Sequence, residues 1–353
     1  FCLNEGTHYK YHDELEYASE AEKWLQMAAT ESDKLITSGR YEIYNTGHPQ
    51  EDYFNMYRID DKSDLKEAVL YVDYKTDIRE HNMAAAGREA GCGFSKSFVE
   101  SFLCSDGLPI SLSNKYLGDE TMRKETANRD PRLKQLILTN DFPTNVTDDL
   151  KDSTFVVNED EFITQHCFTG YRPIKGFNPI YSQALYMKSS FDGIAYRYAE
   201  TLLINAEAKA ELNTITDADL DRTINQLRDR VGMPHLTVNV GFTDPKWPDW
   251  GYSLSPILQE IRRERCIELA GEGFRFNDLK RWKAGKVLNN VLTYVGKRKP
   301  DGNLAIVYPN YTNPDLSYQA GKSRTWEDKM YLYPIPTGEL QRNPQLLPQN
   351  PGW

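Results

Sequence analysis

Two glutamates one helical turn apart in this 353-residue chain, Glu264 and Glu268, are of a type that could carry a reaction. Two carboxyl groups can cleave a glycosidic bond when they face each other across a cleft, about 5–9 Å apart. Side chains at positions i and i+4 instead project from one face of one helix. Because Arg262, Arg263 and Arg265 surround them, we interpret the glutamates as part of an ion-pair network that ties helices together.

Two histidines, His8 and His12, could place their rings on one face of a helix and so bind a metal ion. A third ligand is needed, and Asp13 and Glu16 are only generic candidates for it. We therefore interpret both histidines as polar residues of a helix surface, and expect neither a metal nor another cofactor. Motifs of phosphate-binding loops, dinucleotide sites, zinc proteases and serine hydrolases are also missing.

Aromatic residues in segments without regular periodicity are the stronger functional signal. A sugar ring presents an apolar face that stacks on an aromatic side chain, and nearby polar groups then bind its hydroxyls. The predicted ligand-binding residues are aromatic rings and polar side chains of such segments: Tyr53, Tyr57, Arg79, His81, Asn82, Phe94, Tyr116, Trp247 and Trp250. Packing in the core is the alternative for each ring, because composition does not show exposure.

Composition and charge narrow the classes of partner. The formal net charge is −10 and no long run of lysine or arginine occurs, which argues against nucleic acid as a partner. No apolar run reaches the roughly 20 residues that a bilayer-spanning helix needs. The five cysteines are irregularly spaced and contain no CxxC pair, so a structural zinc site is rejected.

The strongest helical periodicity, which must supply the scaffold for these residues, lies in the second half of the chain. The spacing predicts helical segments over 196–212, 217–234 and 255–282. Thr216 and Asp219 form the pattern of a capping box, and Gly232 marks an end. Ser255 followed by Pro256 predicts the start of the third segment, since proline is tolerated in the first turn of a helix.

The sequence pattern of residues 1–45 predicts another pair of helices. Ser19 and Glu22 have the spacing of a capping box at the start of the second helix, and Gly39 predicts its end. A helix pair here and another in the second half indicate a repeated helix–turn–helix unit of the tetratricopeptide type, although the period is irregular.

The segment 46–191 loses helical periodicity. Short strands are predicted at 67–74 and 153–158, and long polar connectors, which are typical of functional loops, separate them. The chain is irregular again over 286–353, and the prolines of 331–353 predict an extended tail without helix.

The helical block and the tail resemble the SusD/RagB family, which comprises surface nutrient-binding lipoproteins of Bacteroidetes outer membranes. The resemblance rests on four segments: RYAETLLINAEAKAEL (197–212), INQLRDRVGMP (224–234), IRRERCIELAGEGFRFNDLKRWKAG (261–285) and YLYPIPTGELQRNPQLLPQNPGW (331–353). Shorter matches such as FVESFLCSDGLPI (98–110) and NRDPRL (128–133) follow in the expected order, so the resemblance covers the whole chain.

The resemblance implies a mainly α fold, a superhelix of tetratricopeptide-like helix pairs with long irregular loop excursions and a few short strands. It implies one SusD-like domain over 1–353, divided into a helix pair (1–45), a loop-rich ligand-binding excursion (46–191), a helical core (192–285) and an irregular C-terminal segment (286–353). The matching motifs are implied to be structural at Arg197, Glu200, Glu207, Arg228, Glu264, Arg265, Glu268, Arg281 and Trp282.

The function that the resemblance implies is capture of a glycan or oligosaccharide at the cell surface, without catalysis. The ligand would be imported through a SusC-like TonB-dependent transporter of the outer membrane. Capture of a peptide by a member of the same family is one alternative. A glycoside hydrolase and a helical-repeat scaffold that binds only proteins are the others.

Two departures from the family pattern qualify this expectation. Family members carry a lipid-anchored cysteine behind a signal peptide and an N-terminal segment with the first helix pairs. This chain begins inside that pattern, so we expect it to lack its N-terminal part and to be anchored only as the full-length precursor. The segment HNMAAAGREAGCG (81–93) is small and glycine-rich, which argues against sugar stacking from that loop.

Overall fold

A computed structural model of the chain describes residues 1–12, 17–84, 93–140, 145–146, 152–153, 167–306 and 324–353. The α-helices in these ranges are α1 Cys2–Tyr11, α2 Ala21–Thr37, α3 Asp52–Met56, α4 Lys96–Ser101, α5 Met122–Thr126, α6 Arg132–Leu136, α7 Tyr181–Ala184, α8 Tyr198–Glu211, α9 Asp217–Asp221, α10 Ile224–Arg230, α11 Pro256–Glu268, α12 Phe274–Arg281 and α13 Thr337–Arg342. The strands are β1 Ala68–Val72, β2 Asn145–Val146, β3 Asp152–Ser153, β4 Gly193–Arg197, β5 Val295–Arg298 and β6 Leu304–Ile306. This mainly helical architecture confirms the predicted fold class.

The N-terminal helix pair packs on helix α8, as the two contacting pairs α1–α2 and α2–α8 show. Leu3, Leu25 and Ala208 form a small apolar core between the three helices. The capping box predicted for Ser19 and Glu22 is wrong. A 3₁₀ turn enters α2, so Glu20 takes the N-cap position without a side-chain hydrogen bond.

The second half of the chain forms the larger helical layer, in which α8, α10 and α11 share one apolar core. The capping box of Thr216 and Asp219 is confirmed at the start of α9, and α11 begins at Pro256 as predicted. The predicted helix over 217–234 is divided, because the backbone of Thr223 leaves the helical region at φ −130° and ψ −92°. Its hydroxyl donates to the carbonyl oxygen of Asp219 at 2.6 Å.

Glycines divide the predicted segment 255–282 into α11 and α12. Gly271 and Gly273 adopt φ values of 74° and 85°, in the left-handed region that favours glycine. The two helices therefore meet at a sharp turn, and α12 can present its side chains to a different neighbour from α11. In one continuous helix, the side chains of both segments would lie along a single helix axis.

Strand and tail predictions had mixed outcomes. The strand predicted at 67–74 is confirmed as β1, which pairs antiparallel with β4. The strand predicted at 153–158 lies outside the described residues beyond Ser153. The prediction that prolines exclude helix from the tail is wrong, because α13 fits between Pro336 at its N-cap and Pro344 beyond its end.

A buried ion-pair network joins the helical layer to the short helices of the loop-rich segment. The carboxylate of Glu268, fully buried in α11, contacts Arg230 at 2.6 Å, Arg197 at 2.6 Å and Arg132 at 2.9 Å. Burial alone would raise the pKa of Glu268, but these guanidinium groups hold it well below its usual value. The network confirms the interpretation of Glu264 and Glu268, since Glu264 accepts from Arg228 at 3.1 Å.

Two further buried carboxylates extend the same kind of contact along α8. Glu207 accepts from Arg281 at 2.6 Å and from the indole N–H of Trp282 at 2.7 Å. Glu211 pairs with Arg262 at 3.0 Å and with Lys10 of α1 at 2.8 Å. Side chains distant in sequence are thus held in fixed positions, because a buried charge is tolerated only with its partners in place.

We predict that Glu268→Gln lowers the free energy of unfolding by about 3–5 kcal/mol, because it leaves three buried arginines without their shared carboxylate. Urea denaturation followed by circular dichroism measures the change. The matched control is Glu339→Gln, whose partner Arg342 is exposed, and this variant should lose less than about 1 kcal/mol. Equal, small losses in both variants would contradict the structural role of the network.

Candidate functional site

A cleft of about 810 Å³ opens beside helices α11 and α12, which is within the usual range for small-molecule sites. Helix α4 lies along one side, the loop 239–255 along another, and the turns of 285–293 along a third. Phe98, Trp247 and Leu288 supply apolar wall, and carboxamide, guanidinium and ammonium groups lie among them. This combination of aromatic and hydrogen-bonding surface suits a sugar ligand.

The two predicted tryptophans both line this cleft, in different ways. Trp250 is only 4% exposed and packs edge-on against Trp282, with 5.5 Å between ring centroids. Its indole N–H donates to the Gln259 carboxamide oxygen at 2.6 Å. Trp247 is half-buried and donates to Glu260 at 2.7 Å. Trp250 therefore belongs mainly to the buried wall, whereas Trp247 keeps ring surface that a ligand can contact.

Ion pairs hold the loop that carries these tryptophans. Asp244 accepts from Arg263 of α11 at 2.6 Å and from the Ser111 hydroxyl at 2.8 Å. Lys246 reaches across to Glu100 of α4 at 3.0 Å. The loop thus connects the two sides of the cleft, and its fixed position pre-organises the site.

Phe98 is a lining residue that the sequence reasoning missed. Ser95 caps α4 by accepting from the Phe98 backbone N–H, so the ring is placed one turn into the helix. The predicted residue Phe94 lies beside it, stacked at 4.4 Å, and is partly buried against the core. The cap at Ser95 and the i, i+4 spacing of the two rings were the signal that could have identified Phe98.

Tyr53 and Tyr57 lie together, but in the interior rather than in the cleft. Tyr53 is 0% exposed and donates to the Glu268 carbonyl oxygen at 2.6 Å. The ammonium of Lys175 contacts the Tyr53 hydroxyl at 2.8 Å and lies 4.7 Å from the Tyr57 ring centroid. The geometry therefore favours the core-packing alternative for these rings.

Glu272 connects this pair to the buried network. It accepts from Arg197 at 2.7 Å and from Lys175 at 2.6 Å. Burial opposes ionisation, but Arg197 and Lys175 outweigh it and lower the pKa of Glu272 to about 2. Burial also lowers the pKa of Lys175 to about 8. We therefore interpret Glu272 and Lys175 as structural residues, since each forms hydrogen bonds with buried partners.

Arg79, His81 and Asn82 form a second group, at the surface and outside the lining of the cleft. The Arg79 guanidinium lies 4.9 Å from the ring centroid of Tyr74. His81 donates through Nε2 to the Phe191 carbonyl oxygen at 2.9 Å, and burial lowers its pKa. These three residues are close neighbours in the sequence, and Arg79 and His81 both contact the Tyr74 ring.

Large apolar side chains are exposed around this group. The backbone N–H of Met187 donates to Asn82, which joins the segments near 78–83 and 181–187. Several large side chains there are exposed: Ile78, Met83, Tyr181, Leu185, Tyr186 and Met187. Residues 85–92, within the glycine-rich segment noted in the sequence, lie outside the described residues.

Tyr116 and the two N-terminal histidines are outside the lining of the cleft. The Tyr116 ring is half-buried beneath Arg129 at 5.3 Å, and burial raises its pKa. His12 donates through Nε2 to the Lys280 carbonyl oxygen at 2.8 Å, and Asp13 and Glu16 lie outside the described residues.

Among the described residues, no group of three or more histidine, cysteine, aspartate or glutamate side chains could hold a metal ion. None of the helices in the described ranges combines the length and apolar character that crossing a membrane requires.

Comparison with known proteins identifies the family. The model of the SusD family matches residues 29–353 of this chain. The SusD-like protein P2 of Formosa agariphila is 31% identical over 166 residues, which are 47% of this chain and 27% of that protein. The family predicted from the sequence is thereby confirmed.

Solved structures share the fold. A SusD-like protein of Bacteroides fragilis matches with a TM-score of 0.62 and 24% identity, over 99% of this chain and 63% of that one. A SusD-like carbohydrate binding protein of the same species matches with a TM-score of 0.63 and 22% identity, over 98% of this chain and 62% of that one. The chain therefore spans less than two thirds of the length of either protein.

We predict that Glu272 makes the protein lose stability in acid. Its folded-state pKa lies below the unfolded value, so its contribution of about 3 kcal/mol is complete above pH 4.5 and disappears as the pH falls toward 2. Urea denaturation of wild type and Glu272→Gln should give a difference in unfolding free energy that shrinks over this window. A difference independent of pH would contradict the lowered pKa. Glu120→Gln, at an exposed site, is the control.

Proposed function

Because the chain belongs to the SusD family, we propose that it is a cell-surface protein that captures a glycan or oligosaccharide in the cleft without cleaving it. The observation that carries the proposal is the cleft itself, in which Phe98 and Trp247 lie among hydrogen-bonding side chains. The carbohydrate-binding relative from Bacteroides fragilis, which shares the fold, supports this ligand class. Each ring that stacks on a sugar would contribute about 0.5–1.5 kcal/mol beyond area burial.

Three carboxamides line the cleft, and the oxygen of each accepts a hydrogen bond within the protein. Gln259 accepts from the Trp250 indole N–H at 2.6 Å, and Asn289 accepts from the Trp326 backbone N–H at 2.7 Å. Asn290 accepts from the backbone N–H of Leu292 at 3.0 Å. These contacts identify the oxygen of each amide, so each NH₂ group remains a donor for sugar oxygens.

The arrangement of carboxylates supports binding over hydrolysis. Glu264 and Glu268 are enclosed by arginines in the interior, so they cannot act as a general acid and nucleophile on a sugar in the cleft. Of the acids that line the cleft, Asp244 and Glu100 are paired with Arg263 and Lys246. A glycoside hydrolase needs two opposed carboxyl groups at the scissile bond.

In the proposed role, the captured glycan passes to a SusC-like TonB-dependent transporter of the outer membrane. The lipid anchor belongs to the full-length precursor in this proposal. Family membership supports both the transporter and the lipid anchor. The ligand would remain bound in the cleft until its transfer.

Peptide capture is the second proposal, and the exposed apolar surface near Arg79, His81 and Asn82 favours it. Ile78, Leu185 and Tyr186 could accommodate apolar peptide side chains, with Tyr186 exposed over 74% of its surface. A glycan would instead need ring faces bordered by polar donors, which the cleft provides.

We predict that Trp247→Ala raises the dissociation constant for oligosaccharides about two- to tenfold, because one stacking face is lost. Isothermal titration calorimetry against a panel of neutral and acidic oligosaccharides and of peptides measures this change. Tyr196→Ala, which removes an exposed ring outside the cleft, is the matched control and should leave binding unchanged. Its melting temperature and that of Trp247→Ala should both remain near the wild-type value.

Two results would contradict the proposal. Loss of glycan binding in Tyr186→Ala with full binding in Trp247→Ala would place the site at the apolar surface. Release of shorter sugars from a bound oligosaccharide, measured by mass spectrometry, would show catalysis.

A further inference from the structure

We infer that the cleft selects glycans that carry negative charge, such as uronate or sulfate groups, through Arg275 and Lys286. This inference rests on the proposed function, and it names the ligand class of the same site. The chain as a whole has a formal net charge of −10, so the preference would be a local property of the cleft. It follows from which of the lining charges have partners and which do not.

Arg275 is the central group. It lies in α12, is half-buried and lines the cleft, with its guanidinium 5.9 Å from the ring centroids of both Trp250 and Trp282. Within the described ranges, no carboxylate or carbonyl oxygen accepts a hydrogen bond from it. A half-buried guanidinium presents its donors in a planar fork, which matches the two oxygens of a carboxylate or a sulfate.

Two other arginines of the same cleft show the contrast. Arg262 pairs with Glu211 at 3.0 Å, and Arg263 pairs with Asp244 at 2.6 Å. Both are needed to hold helix α11 and the tryptophan loop in place. Arg275 lies beside them without an ion pair to any described residue, so its charge remains available to a ligand.

Lys286, at the exposed edge of the cleft, is a second cation without an ion pair among the described residues. Its ammonium has no acid or carbonyl partner in the part of the chain that the structure describes. Lys246, the other lysine of the cleft, is by contrast paired with Glu100 at 3.0 Å. Two cations therefore remain after the paired charges are set aside.

The negative side chains of the lining do not cancel these cations. Glu100 and Asp244 are already paired, and Asp249 accepts from the backbone N–H of Gly251 at 2.9 Å. Asp249 is exposed and is the remaining carboxylate of the lining without a cation partner among the described residues. Two available cations against one carboxylate leave the cleft with a local excess of positive charge.

The uncharged carboxamides of the cleft also favour a ligand that supplies hydrogen-bond acceptors. The carboxamides of Gln259, Asn289 and Asn290 use their oxygens within the protein and offer N–H donors to the cleft. A ligand that meets them must supply acceptors. Carboxylate and sulfate oxygens are stronger acceptors than sugar hydroxyls, so an acidic glycan uses these donors and the two cations together.

Calorimetric titration of the full chain with matched pairs of probes tests this inference. Oligogalacturonides are compared with their methyl esters, and sulfated galactan oligosaccharides with their desulfated forms, so that only the charge differs within a pair. At low ionic strength, we expect the acidic member of at least one pair to bind about tenfold more tightly. The two pairs distinguish carboxylate from sulfate as the recognised group, and added salt should reduce the preference.

Variants assign the preference to the cleft. Arg275→Gln should reduce the acidic preference, and combining it with Lys286→Gln should abolish it, so that the acidic and neutral members of each pair bind with equal affinity. The control Arg40→Gln removes an exposed arginine outside the cleft and should keep the preference. Melting temperatures close to wild type for all variants exclude loss of folding as the cause.

The outcomes separate this inference from the proposed function. Equal binding of acidic and neutral members by the wild type overturns the inference and leaves glycan capture intact. An acidic preference that persists in the double variant overturns the assignment to Arg275 and Lys286. Failure of every oligosaccharide, acidic or neutral, to bind counts against the proposed function itself.

Discussion

The buried carboxylate of Glu268 joins segments that are distant in the sequence. It binds Arg132, Arg197 and Arg230, which come from α6, β4 and α10, so one acid brings three separate segments to helix α11. Removing Glu268 would leave these buried guanidinium groups with less compensating negative charge, which is costly in a medium of low polarity. Helix α6, which lies within residues 46–191, therefore has a defined place against the helical layer, although the periodicity of that segment is weak.

The two faces of α11 have different roles because Glu268 fixes the orientation of the helix. Glu264 and Glu268 point into the network, whereas Gln259 and Arg263 line the cleft. The same helix thus fixes the fold on one side and supplies ligand-binding surface on the other. Pairing also distinguishes the arginines of the cleft: Arg262 and Arg263 have carboxylate partners, and Arg275 has none among the described residues.

Local signals in the sequence predicted much of the scaffold. The capping box at Thr216 and the proline start of α11 depend on neighbouring residues, so they could be recognised without tertiary information. The division of the long helices at Thr223 and at Gly271–Gly273 was missed, since their apolar stripes continue across the breaks. The domain division at 45, 191 and 285 remains a prediction.

The candidate site was less predictable, because exposure and pairing are set by contacts between distant residues. Trp247 was identified from its place in an irregular loop, but the same reasoning selected Tyr53, which the Glu268 network draws into the core. Phe98 and Arg275 lie on helices whose sequence patterns look structural. Whether their side chains can contact a ligand depends on which distant residues pack over them. The spacing of residues in the sequence does not show this packing.

The most direct test of glycan capture in the cleft is a crystal structure of the protein with a bound oligosaccharide. We expect an intact sugar chain in the cleft, with one ring stacked on Trp247 or Phe98 and its oxygens within hydrogen-bonding distance of the carboxamides. A sugar bound instead beside Arg79, His81 and Asn82, or a cleaved product in the cleft, would contradict it.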